Sequence, residues 1–241
     1  MDEDTMKYLV DQLRMVGGNK VVESKNNTFL VDEDGKVAEF TPNYGAKETL
    51  TVKTLESVVD YLDKTSDCNG KEIIVHIYSP TKVGVYGLLD QYGNREEPLE
   101  AEIESGFEES KSYRSVEDMI VELQSNFVET DDRDVLLKVL GNLKDDNIKV
   151  QTDDGTTQQV TVKTGVASLS GAVVPNPVAL KPYRTFIEVD QPESNFVFRM
   201  QSGMRTALFL ADGNGWKIEA IQNIKKYLTD HIKNEKVHVI G

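Results

Sequence analysis

The chain has 241 residues, 27 of them Lys or Arg and 41 Asp or Glu, for a formal net charge of −14. That length suits one large domain or two intimate ones, and 39% hydrophobic content is too high for a disordered chain. The acidic balance, with no basic stripe, argues for solubility and against direct nucleic-acid binding, because counterion release needs cations clustered along a phosphate backbone.

Residues 4–16 read as a short amphipathic helix with Met6, Leu9, Val10 and Leu13 on one face, ended by Gly17-Gly18. The acidic start, MDEDTMKYLV, lacks the positive n-region of a signal peptide. Thr28–Val31 and Lys36–Phe40 form a hairpin around residues 32–35. Leu55, Val58, Val59 and Leu62 mark a helix with Thr54 as its N-cap. Cys68, the only cysteine, follows in a loop beside Asn69-Gly70; no intrachain disulfide can form, and a reducing cytosol is the expected home.

The middle is β-rich. Glu72–Tyr78, Val83–Asp90 and Pro98–Glu104 read as a long hairpin or meander, with a turn at 91–95. Ser115 starts a helix with Asp118 three residues on; Val116, Met119, Ile120, Leu123 and Phe127 share its apolar face. A break at residues 130–132 leads into a second helical run through Val135, Leu136, Val139, Leu140 and Leu143. Ile148–Gln151 and Gln158–Thr164 flank a second Asp-Gly hairpin turn. Val173–Tyr183, with Pro175, Pro177 and Pro182, must be extended. Strands are expected near 184–190, 195–201 and 206–211. Gly213 and Gly215 open the last helix, whose buried face is Trp216, Ala220, Ile221, Ile224, Leu228 and Ile232; Val237–Ile240 is a final strand.

No apolar run approaches the roughly 20 residues of a membrane span. No repeat or linker interrupts the chain, so one α+β folding unit is expected. Residues 1–50 supply an N-terminal helix, hairpin and arm, and 51–241 the main domain: a long hairpin at 72–104, a helical segment at 115–144, and a β-rich part with a terminal helix at 147–241.

No catalytic, cofactor-binding or metal-ligating residue is expected. Gly213-Asn214-Gly215 before a helix invites a phosphate, but the spacing is neither a dinucleotide fingerprint nor a P-loop. Asp32, Asp34, Asp153 and Asp154 beside glycines are ordinary hairpin-turn residues and lack the ligand spacing of a calcium loop. His76, His231 and His238 show no metal-ligand spacing, and there is no second cysteine. Lys225, Lys226, Lys233 and Lys236 are the densest cations, late in the terminal helix, where they suit its dipole. Trp216 reads as core.

Four segments carry a family pattern: Val173–Leu180, Lys181–Glu188, Gln191–Arg199 and Ala207–Trp216. Together they resemble the YfdQ-like proteins encoded by phages and prophages. Leu55–Leu62, Val75–Leu89, Phe107–Phe127 and Asp153–Gly165 look similar too, so the resemblance covers most of the chain. Leu210 stands where the family tends to carry an acidic residue, and Asn214 replaces a glycine. The resemblance implies a phage or prophage origin, an early or accessory gene, and the cytoplasm of an infected or lysogenic bacterium. It supplies no catalytic residues. In its order of elements the chain also resembles the HK97-like fold of tailed-phage capsids and encapsulin nanocompartments.

The expected function is therefore that of a non-enzymatic structural protein that associates with itself, into a capsid-like shell or nanocompartment, with a cargo or host protein as a further partner. The alternative is an acidic accessory protein that binds a host, recombination or defence partner. An enzyme is least supported, since no constellation suggests one.

Overall fold

The computed structural model describes residues 20–24, 27–31, 36–40, 46–68, 70–90, 93–107, 112–143, 149–153, 158–161, 176–201 and 203–241. The expected helix over 4–16 and the turn residues Asp32, Asp34 and Asp154 lie outside the described residues. The fold is mixed α+β. It divides into two compact units, Met1–Thr49 with Leu88–Pro98, and Leu50–Gly87 with Leu99–Gly241.

In the first unit, β1 (Lys20–Ser24), β2 (Asn27–Val31) and β3 (Val37–Phe40) form an antiparallel meander. The β2–β3 hairpin matches its apolar runs; β1 was not foreseen. Register puts Val22, Phe29, Val31 and Val37 on one face and Val21, Leu30, Ala38 and Phe40 on the other. Apolar side chains on both faces leave neither face polar, in contrast to an ordinary half-solvated antiparallel sheet. In the 88–98 loop, Asp90 and Asn94 close a turn through Asp90 N–H to Asn94 O at 2.9 Å and Asn94 N–H to Asp90 Oδ1 at 2.8 Å. Gly93 sits at φ +84°, which a side chain would strain.

The second unit holds two packed layers. Its larger sheet contains β4 (Leu50–Val52), β5 (Ile73–Ser79), β6 (Lys82–Gly87), β7 (Leu99–Glu102) and β14 (Val237–Ile240), in the order β14-β5-β6-β7-β4. The expected long hairpin is thus three consecutive strands inside a five-stranded sheet. β5, β6 and β7 are antiparallel; β4 joins β7 and β14 joins β5 in parallel. Parallel neighbours need helical crossovers. Here they are α1 (Leu55–Lys64) and α4 (Trp216–His231). Thr54, with β-region φ, caps α1 by accepting Ser57 N–H at 3.1 Å, as its sequence position predicts. Alternation then decides the core. Ile73, Val75, Ile77, Val83, Val85, Leu99 and Ala101 face Leu55, Val58, Leu62, Ile224 and Leu228. Cys68 fills the same core and is buried.

The second layer is the sheet β11 (Val178–Leu180), β12 (Ser194–Gln201), β13 (Arg205–Leu210) and β8 (Arg114–Ser115), with α2 (Val116–Asn126) and α3 (Asp131–Gly141) against it. Ser115 caps α2 by accepting Asp118 N–H at 3.1 Å. The helical stretch is broken where expected: Thr130 caps α3. Arg133 looks misplaced on an apolar helix face, yet it is buried: its Nε donates to Leu123 O at 2.8 Å and supplies a cation to the C-terminal carbonyls of α2. β9 (Lys149–Asp153) and β10 (Gln158–Thr161) pair as the second expected hairpin.

Thr206 is fully buried opposite Met200, and its hydroxyl finds no hydrogen-bond partner among the described residues. Thr206→Val keeps the shape, suits a strand and removes a desolvated hydroxyl. It is expected to stabilise the protein by about 1 kcal/mol, read as a higher denaturant midpoint; a loss of stability would refute the assignment.

The strand expected near 184–190 does not form. Residues 184–190 are irregular backbone with a single turn at Ile187–Glu188 between bends at Thr185 and Val189. Phe186 and Val189 both enter the first core, three residues apart, and Val189 N–H returns to Phe186 O at 3.3 Å. A strand would place residues three apart on opposite faces. The backbone is satisfied by one side chain instead. Gln191 accepts from Arg184 N–H at 3.0 Å and Thr185 N–H at 3.2 Å, and donates to the carbonyls of Thr185, Phe186 and Val189. The segment 181–193 also ties the layers together. Thr185 Oγ1 donates to Pro80 O at 2.5 Å, Tyr183 N–H to Asn126 O at 2.8 Å, and Asp190 O accepts from Asn223.

Candidate functional site

The strand-to-helix turn after β13 was the strongest sequence hint of a ligand, and its geometry explains the residues without one. Gly213 and Asn214 both have positive φ, +63° and +67°. Gly215 N–H bonds to Asp212 O at 3.2 Å, closing a turn with two left-handed central residues. Asn is the side chain that best tolerates this conformation, so Asn214 and a glycine are equivalent there. Asp212 places its own carboxylate on the turn, Oδ1 accepting Asn214 N–H at 2.9 Å and Oδ2 accepting from Ser194 Oγ. Ser194 in turn accepts from the buried Arg184, whose Nη2 also donates to Pro192 O at 3.2 Å. An internal anion and cation thus occupy the start of α4. Trp216, expected in the core, is instead half-buried, its ring lying 3.9 Å under the Arg184 guanidinium.

The second candidate is a surface that sequence reading did not assemble. In the five-stranded sheet only one face is covered by helices among the described residues. The opposite face follows from the register: Ile74, His76 and Tyr78 on β5; Lys82, Gly84 and Tyr86 on β6; Glu100 and Glu102 on β7; Thr51 on β4; His238 and Ile240 on β14. Tyr78 and Tyr86 are four residues apart in register, yet their hydroxyls are hydrogen-bonded. Their rings therefore lie along the strands across the His76–Gly84 row. Gly84 has no side chain to stand in that space and is itself buried. The His76 ring lies 4.0 Å from that of Tyr78, tilted by 49°, and the Tyr78 and Tyr86 rings meet edge-on at 6.1 Å. Beside the rings Lys82 bridges Glu100 at 2.8 Å and Glu102 at 3.3 Å, and Thr51 donates to Glu100. The bond from Lys82 holds the Glu100 carboxyl below its ordinary value, helped by Lys53; bonds to Glu100 and Glu102 raise Lys82. These groups are solvent-screened, so the pairing sets orientation more than stability.

The remaining sequence candidates do not converge. His238 is exposed on β14, and His231 stacks on Tyr227 at the end of α4. Burial, with Glu188 and Glu56 nearby, pushes the Tyr227 phenol up. Lys233 and Lys236 lie beyond the last helical residue, His231, not within the helix as expected; Lys236 Nζ donates to Gly70 O at 3.0 Å. Among the described residues no group of His, Cys, Asp and Glu could hold a metal ion, and no helix is long and apolar enough to cross a membrane. No family model, curated protein or solved structure matches this chain.

Proposed function

We propose that this chain is a non-enzymatic structural protein of phage or prophage origin that associates with copies of itself, in the manner of a capsid-like shell or nanocompartment. One observation carries the reading. No described residue of the unit built on Met1–Thr49 and Leu88–Pro98 is buried, although its sheet bears apolar side chains on both faces. Val37 is 61% exposed, Leu89 57%, Leu88 47% and Val22 45%. A three-stranded sheet needs a covered apolar face to be stable, and contiguous exposed apolar surface marks association. The sequence resemblance to YfdQ-like proteins supports the phage origin. The acid excess supports the second reading, an accessory protein that docks a basic host or recombination partner.

Light scattering on the eluting full chain, followed by negative-stain microscopy, tests this. A closed shell of about 60 copies of 27.0 kDa would run on the order of 1.6 MDa. Val22→Lys with Val37→Lys, on one face of the meander, is expected to dissolve the assembly. A uniform monomer at every concentration would overturn self-association and leave the accessory reading.

A further inference from the structure

We draw no further inference here: the strongest candidate, the open face of the five-stranded sheet around the hydrogen-bonded Tyr78 and Tyr86, carries nothing because nothing in the structure shows what covers it.

Discussion

Replacing Gln191 with leucine is expected to lower the unfolding free energy by about 3–5 kcal/mol. The amide of Gln191 does the work of a missing strand. It accepts from two buried backbone N–H groups, those of Arg184 and Thr185, and donates to three carbonyls. Leucine keeps most of the volume but leaves both N–H groups buried without water or partner. Each such group costs about 1–3 kcal/mol, and the total is a large share of the roughly 5–15 kcal/mol that holds a typical domain together. The segment also joins the two apolar cores of the unit, since Phe186 and Val189 enter the first while Leu180 and Phe196, flanking it, belong to the second. Its loosening should make the cores unfold less cooperatively. Trp216, the sole tryptophan, sits against Arg184 in this region. Denaturation followed by its fluorescence should therefore precede the far-ultraviolet dichroism signal in the variant and coincide with it in the parent. Coincident transitions with less than about 1 kcal/mol of loss, within the usual range for inconsequential changes, would show that Gln191 is not the organiser of the segment.

Phe127→Ala is expected to cost about 3–5 kcal/mol as well, through a cavity and not through lost hydrogen bonds. Phe127 is 2% exposed and closes α2. Its ring meets Phe107 at 5.1 Å and Phe196 at 6.2 Å in edge-on contacts, and Phe107 meets Phe196 at 6.0 Å. Each edge-on pair adds about 0.5–1.5 kcal/mol beyond area burial, so the truncation removes two pairs and the packing they organise. Phe127→Leu, which keeps most of the volume, should cost about 1–2 kcal/mol. Val121→Ala, at an exposed position of the same helix, should stay within about 0.5 kcal/mol. Equilibrium denaturation of the three variants checks the series; equal losses for alanine and leucine at position 127 would contradict a close-packed aromatic cluster there.

Most secondary elements were legible in the chain because their signals are local. Thr54, Ser115 and Thr130 each precede an apolar period of 3.6, and each caps a helix. The alternation of Ile73, Val75 and Ile77 marks the buried face of β5, and the β2–β3 and β9–β10 hairpins follow from turn residues between apolar runs. The turn at Gly213–Gly215 was also readable, since only residues that accept positive φ suit it.

What failed was non-local. Residues 184–190 have the apolar content of a strand, but Gln191 supplies their hydrogen bonds from seven residues or fewer away, and no propensity scale encodes that. Trp216 follows the helical period of α4 yet is held at the surface by Arg184, thirty-two positions earlier. Arg133 breaks the apolar period of α3 and is buried all the same, because the exposed carbonyls of α2 happen to end beside it. The open sheet face lies furthest from sequence reading. His76, Tyr86, Glu100 and Ile240 become neighbours only through strand order and register, which depend on β14 returning beside β5 from the far end of the chain. The sequence by itself determined the elements and the overall charge, because those depend on residues close in the chain. Only the tertiary structure decided which acidic groups are paired, as Lys82 pairs Glu100 and Glu102, and which sheet face stays uncovered among the described residues, because both depend on strands that the chain brings together, β14 and β5 from more than one hundred and sixty positions apart.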